Sequence, residues 1–137
     1  MAGANELERD ALTYKILGCF FLVYRELGFG FLESVYQEAM RVALRREGLS
    51  VMSEVSLPIF FLGERVGVYR ADMIVDRKVL LEIKATAALD RVHRSQILNY
   101  LKATDIERGL LLNFGPKLQF ERFLFTNERK EPRPIES

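Results

Sequence analysis

In this chain of 137 residues, the spacing of apolar residues changes from a helical period to a strand period just after Gly48. Up to Gly48 the apolar residues recur every three or four positions, whereas from Val51 they alternate, as in Val55, Leu57 and Ile59. The first spacing predicts amphipathic helices, and the second predicts strands with one face buried. A chain with both patterns in separate blocks is expected to pack helices against a sheet.

Turn and cap signals divide the chain into predicted elements. Gly28 and Gly48 end the first two predicted helices, and Asp90 is a predicted N-cap of the third. The predicted helices cover about 12–27, 31–47 and 90–103, and the predicted strands about 51–61, 66–75, 79–85, 109–114 and 118–125. Pro58 indicates an edge strand. The order predicts an α/β fold with a mixed central β-sheet flanked by helices.

The first predicted helix is apolar on two faces. Besides its main stripe it carries a second one, made of Tyr14, Leu17, Phe21 and Tyr24. A helix that is apolar on two faces is expected to be packed on both.

Length and composition predict one domain over residues 1–126, followed by a polar tail over 127–137 that we expect to be loosely ordered. The single cysteine, Cys19, allows no disulfide within one chain and is expected to be a buried thiol. The apolar run over residues 16–24 is too short to span a membrane, and acidic residues precede it where a signal peptide would be basic. We therefore expect a cytoplasmic protein with no membrane partner.

Charged residues interrupt the apolar strands at Asp72, Glu82 and Lys84. A hairpin loop over 76–78 pairs Val75 with Val79, which places Asp72 opposite Glu82 with Cβ atoms about 5 Å apart. Lys84 shares the face of Glu82 because side chains alternate along a strand. By the same alternation, Ala71, Met73, Val75, Leu81 and Ile83 are expected to point into the core.

Two carboxylates this close repel each other unless a proton or a cation lies between them. Mg²⁺ (or Mn²⁺) suits oxygen ligands, and Lys84 could orient a water or neutralise charge on a phosphate. The alternative is that Lys84 makes an ordinary surface salt bridge with Asp72 or Glu82.

The pattern Asp72, then Glu82-x-Lys84 on the next strand, resembles the PD-(D/E)xK nuclease superfamily. Ala71 stands where the superfamily's name has proline, a position that is often not proline. The resemblance covers about residues 8–126 and implies a restriction-endonuclease-like core. It also implies that Asp72 and Glu82 are metal ligands and that Lys84 is the catalytic lysine.

Two further motifs flank this pattern in the expected order. Gly30-x-x-Glu33-x-x-Tyr36 looks like the signature of the GxxExxY family, and Gln96-x-x-x-Tyr100 resembles a motif of RecB-like exonucleases. The resemblance implies that Glu33 completes the metal site. It also implies that Gln96 and Tyr100 approach the metal or the nucleic-acid backbone. Without it, the alternative for Glu33 is a first-turn acid favoured by the dipole of a helix N-terminus, and the alternative for Tyr100 is a core or rim aromatic.

Two charged or titratable residues on the third predicted helix are candidate substrate contacts. His93 could contact substrate or serve as a hydrogen-bonded structural residue. Arg94 could contact a phosphate or form part of a solvated basic face.

The leading hypothesis is therefore a Mg²⁺-dependent nuclease acting on DNA. The alternative is a catalytically silent module on the same fold that binds nucleic acid or protein, possibly as a homodimer. The net charge of +1 and the ten phenylalanines favour the alternative mildly, because a nuclease usually shows a basic surface. A hydrolase of other phosphate esters would use the same metal chemistry.

Overall fold

The computed structural model describes residues 4–130, with side chains from Ala11 onward. It contains three helices, α1 (Ala4–Leu27), α2 (Glu33–Arg46) and α3 (Arg91–Ala103). Its strands are β1 (Val51–Phe61), β2 (Glu64–Val75), β3 (Val79–Lys84), β4 (Arg108–Phe114) and β5 (Leu118–Leu124). The predicted order of elements is confirmed.

The five strands form one mixed sheet in the order β1-β2-β3-β4-β5. β3 and β4 are parallel, and the other neighbours are antiparallel. A parallel pair needs a long crossover, and α3 supplies it. β1 lies at an edge of the sheet, as Pro58 predicted.

Helices cover both faces of the sheet and bury β3 and β4. On one face, α1 and α2 pack on a cluster that we call the helix-pair core, which includes Ile16, Phe20, Tyr36, Met40, Met73, Val75, Leu81, Ile83 and Phe114. On the other face, α3 packs on a cluster that we call the α3 core, which includes Ala71, Ile74, Leu80, Ile97, Leu101 and Leu111. Burial on both faces explains why Leu110, Leu111 and Leu112 follow one another in β4 without a polar residue between them.

The outer stripe of α1 is only partly packed, so the expectation of two packed faces is wrong. Leu17 is buried, but Tyr14 is 75% exposed and Phe21 is 43% exposed. α1 is an outermost layer, and over this stripe the ring of Phe120 in β5 approaches that of Phe21, with centroids 5.9 Å apart. An apolar strip of α1 therefore faces solvent.

The side chains of β2 do not alternate regularly through Asp72. Met73 and Val75 pack in the helix-pair core, as predicted, but Ala71 packs in the α3 core. The β1–β2 register passes from Ser53–Met73 to Val55–Ala71, and Glu54 between them has a positive φ of 51°. At this irregularity the odd-numbered side chains of β2 switch from the helix-pair core to the α3 core.

The apolar run of α1 is a core segment, with Cys19 buried as predicted. Among the described residues, no helix combines the length and apolarity needed to cross a membrane.

Only the start of the predicted polar tail can be described. Asn127–Arg129 form one 3-10 turn, and the Nζ of Lys130 donates to the carbonyl oxygens of Thr104 and Ile106, each at 2.8 Å. Residues 131–137 lie outside the described part, so the tail remains a prediction there.

We expect Gly115→Ala to destabilise the protein, because an added Cβ would collide with the backbone carbonyl of Thr86. Overpacking against backbone costs about 1–3 kcal/mol. Gly18 in α1 is the matched control, since a Cβ there meets nothing within 4 Å, so Gly18→Ala should raise stability by about 0.5–1 kcal/mol. Urea unfolding of both variants measures this, and equal effects would contradict it.

Candidate active site

Asp72 and Glu82 lie where β2 and β3 separate. The β2–β3 ladder runs from Val75–Val79 to Met73–Leu81, one pair short of the predicted opposition of Asp72 and Glu82. Instead, the backbone N–H of Ile83 donates to Oδ2 of Asp72 at 2.8 Å, and the backbone N–H of Asp72 hydrogen-bonds the Glu82 carboxylate. At the open end of the hairpin, the two carboxylates therefore accept backbone N–H groups after the strand-to-strand ladder has ended.

Glu82 is the most buried of the predicted acids, with 6% of its surface exposed. The hydroxyl of Tyr69 donates to its Oε1, and the ring of Tyr69 stacks on that of Tyr100. Burial raises the pKa of Glu82 to about 7, although the charge of Lys84 opposes this. A carboxyl with such a pKa exchanges a proton near neutral pH.

Glu33 reaches the same end of β3 from the first residue of α2. The backbone N–H of Ala85, directly after Lys84, hydrogen-bonds its carboxyl group. The hydroxyl of Tyr36 accepts from the N–H of Phe31 at 3.2 Å and donates to the carbonyl of Gly28 at 2.6 Å. Tyr36 thus fixes the loop that leads into Glu33, which gives the Gly30-to-Tyr36 motif a structural role.

The charge of Lys84 acts on three carboxyl groups at once. Burial is the largest effect on Glu33, Asp72 and Glu82, and it raises the pKa of each. The ammonium group of Lys84 lowers all three pKa values. Asp72 raises the pKa of Glu33, and Glu33 raises that of Glu82. The structure therefore brings the four predicted catalytic residues into one electrostatic group.

The three acids do not form one compact ligand cluster. Among the described side chains, those of residues 11–130, no three His, Cys, Asp or Glu lie together as a group that could hold a metal ion. Mg²⁺, however, commonly uses only one or two carboxylates and keeps several waters. The Asp72 and Glu82 carboxyl groups each accept a backbone N–H from the other strand, and Glu33 lies within electrostatic range of both, so these oxygen donors suit a divalent cation.

Of the two motif residues on α3, the structure places Tyr100 near Glu82. Its ring stacks on Tyr69, and burial, followed by the charge of Glu82, raises the pKa of its hydroxyl. Gln96 is exposed one turn earlier on the same helix.

His93 and Arg94 already have protein partners. Nδ1 of His93 accepts from the N–H of Asp90 at 3.3 Å and completes a capping box at the start of α3. Arg94 donates through Nε to both carboxylate oxygens of Glu121, at 2.7 and 2.8 Å. A substrate phosphate would therefore compete with Glu121 for Arg94.

Tyr69 is the site residue that sequence reasoning missed. Regular alternation places it on the face opposite Asp72, with Met73. The irregularity at Glu54 and Asp72 turns it to the α3 side, where it meets Glu82. An aromatic residue three positions before the acid was the available signal, but its orientation depended on β1.

We expect Glu82→Gln to remove a pH dependence of stability in metal-free protein. The pKa of Glu82 is about 7 in the folded protein, against an ordinary value of 4.5. The protonated carboxyl therefore stabilises the folded state, and this stabilisation is fully present below about pH 4.5 and is lost as the pH rises through about 7. A shift of this size corresponds to about 3 kcal/mol. In EDTA, the glutamine variant should be more stable than the parent by up to about 3 kcal/mol at pH 8.

At pH 5 this advantage should fall below about 1 kcal/mol, because the carboxyl of the folded parent is then protonated and only the unfolded chain is still partly ionised. Urea unfolding at pH 5, 6, 7 and 8 measures the trend. A difference between variant and parent that does not change with pH would contradict it.

Comparison with known proteins supports the fold. A solved structure described as "Crystal structure of SSO0001" matches with a TM-score of 0.51 and 20% identity, over 75% of this chain. The chain spans half the length of that protein, and the likeness shows the fold. No curated protein matches the chain.

A family profile described as the PD-(D/E)XK nuclease superfamily matches residues 10–123, a range that includes all four predicted catalytic residues. The restriction-endonuclease-like fold implied by the sequence is thereby confirmed. Nucleases of this superfamily usually use divalent metal ions and bind nucleic acid. With a match over most of its length and the expected sheet, the chain belongs to the PD-(D/E)XK nuclease superfamily.

Proposed function

We propose that the protein is a Mg²⁺- or Mn²⁺-dependent nuclease that hydrolyses phosphodiester bonds of DNA. The observation that carries this proposal is the shared effect of Lys84 on Glu33, Asp72 and Glu82 at the open end of the β2–β3 hairpin. A structural salt bridge needs one acid, whereas three partly buried acids around one lysine suit an ion and a phosphate.

Each residue has a distinct part in this proposal. Asp72 and Glu82 hold the cation through their carboxylates, and Glu33 adds a third negative charge. When bound, the cation supplies an activated water and polarises the phosphate. Lys84 neutralises negative charge that develops on the phosphate oxygens and orients the attacking water.

Two tyrosines support these groups. Tyr69 holds Glu82 in place through its hydroxyl, and Tyr100 supports the ring of Tyr69. We assign Gln96 and Tyr100 to positioning the DNA strand. Membership of the GxxExxY branch is part of the proposal, because Tyr36 fixes the loop that carries Glu33 towards β3.

A catalytically silent binding module on the same fold is the second candidate. Two of the acids have protein donors that satisfy them without an ion, namely the N–H of Ile83 for Asp72 and the hydroxyl of Tyr69 for Glu82. The exposed stripe of α1, with Tyr14 and Phe21, also offers an apolar surface to a partner or a second copy.

Cleavage assays separate the two candidates. Purified protein should cut DNA when Mg²⁺ or Mn²⁺ is added, and EDTA should stop the reaction. A Lys84→Ala preparation made in parallel reports contaminating nuclease. Absence of metal-dependent cleavage of both single-stranded and duplex DNA, in folded protein, would favour the binding module.

A further inference from the structure

A cleft of about 270 Å³ opens beside the candidate active site and has no part in the mechanism above. Its walls include Phe29 and Phe31 from the α1–α2 loop, Ala85 and Thr86 after β3, and Pro116 from the β4–β5 turn. None of its lining residues is charged. Such a cleft suits a neutral flat group better than a phosphate.

The aromatic wall of this cleft is held in place from behind. The ring of Phe31 lies edge-on to Tyr36, with centroids 6.1 Å apart, and Tyr36 stacks on Phe114 at 4.3 Å. The N–H of Phe31 also donates to the Tyr36 hydroxyl. Phe31 nevertheless remains 48% exposed, and Phe29 is 60% exposed. Two apolar rings are therefore displayed to solvent at a loop that the core fixes.

The cleft is continuous with the catalytic group. Ala85 lines the cleft, directly follows Lys84, and uses its backbone N–H to bind Glu33. Gly30 and Phe31 line it just before Glu33. A group seated there is therefore a near neighbour of whatever occupies the site at Lys84.

We propose that this cleft binds one unpaired nucleobase next to the scissile phosphate, so that the preferred substrate is single-stranded DNA. The inference rests on the proposed function. Bases stack readily on aromatic side chains whatever their sequence. In a duplex both faces of each base are already stacked and its edge is paired, so a single-stranded DNA offers this group at lower cost.

Binding without cleavage tests the cleft. We would measure fluorescence anisotropy of a labelled 12-nucleotide oligothymidylate, and of a 12-base-pair duplex, in EDTA. Phe29→Ala and Phe31→Ala should each weaken single-strand binding about tenfold, the size of loss expected when a base loses the aromatic ring on which it stacks. Phe31→Tyr should bind within about twofold of the parent, because it keeps the ring.

Leu32→Ala is the matched control. Leu32 follows Phe31 in the same loop and is 77% exposed, but it does not line the cleft. It should leave the affinity unchanged. Duplex binding should be weaker in the parent and insensitive to all four substitutions. Phe29→Ala should not change the affinity for an abasic oligonucleotide of the same length.

The inference would be overturned if Phe29→Ala bound the single strand as tightly as the parent does. This test stands even if Phe31→Ala misfolds because it loses its contact with Tyr36. The inference would equally be overturned by an equal loss with the abasic oligonucleotide, by preference for duplex, or by no measurable binding of the single strand. The nuclease proposal is judged separately, by metal-dependent cleavage that is lost in Lys84→Ala. If the protein cleaves DNA but Phe29→Ala binds the single strand like the parent, the nuclease proposal holds and the proposed base site is rejected.

Discussion

Lys84→Ala is expected to reduce DNA cleavage by at least about a hundredfold, the loss typical when one preorganised electrostatic partner of a transition state is removed. Lys84 is the positive charge common to Glu33, Asp72 and Glu82. Without it, negative charge on the phosphate has no ammonium partner. The pKa values of the three acids should also rise further, which opposes metal binding at neutral pH.

The control for this variant lies at the other end of β3. Lys78 is exposed in the loop before the strand, so Lys78→Ala removes the same charge away from the site. It should keep parent activity. Initial rates on a labelled oligonucleotide, together with circular dichroism, compare the three proteins. Cleavage by folded Lys84→Ala at the parent rate would mean that another site, or a contaminant, is responsible.

Asp72→Asn is expected to abolish detectable metal binding and to reduce cleavage by about a hundredfold or more. The asparagine oxygen can still accept from the N–H of Ile83, so the hairpin should stay folded. What is lost is one negative charge of the candidate metal site, the charge that acts on Glu33. Mg²⁺ binds carboxylate oxygen strongly and amide oxygen poorly when the site offers few protein ligands.

Calorimetric titration with Mn²⁺ at pH 8 measures this loss directly. Glu64→Gln is the matched control, because Glu64 begins the same strand and is exposed at its far end. The parent and Glu64→Gln should give the same binding isotherm, and Asp72→Asn should give none. Equal binding by Asp72→Asn, or no binding by the parent, would count against the metal site and in favour of the binding module.

The order of elements was predictable because each element carries its own period. Apolar spacing reports which face of one helix or strand is buried, and that is a local property. The hairpin at 76–78 likewise brought Asp72, Glu82 and Lys84 together in prediction, because a tight loop fixes the register of the strands next to it. The structure keeps that register as far as Met73–Leu81.

Partners distant in the chain were beyond the reach of the sequence alone. His93 forms a helix cap with Asp90, and Arg94 forms an ion pair with Glu121 on β5. Solitary residues of these types fit a cap, an ion pair or a substrate contact equally well. Only the packing of α3 beside β5 showed that protein groups already occupy Arg94.

Thus the sequence by itself determined the α/β order of elements, most of the buried faces and the local grouping of Asp72, Glu82 and Lys84. The tertiary structure decided where the β2–β3 ladder stops, that Tyr69 turns to Glu82, and that Tyr14 and Phe21 on the outer stripe of α1 stay exposed. The physical reason is that which face of the sheet a strand's side chains occupy depends on how the neighbouring strand pairs with it. Glu54 on β1, with its left-handed backbone, lies beside Asp72 where the alternation is reset.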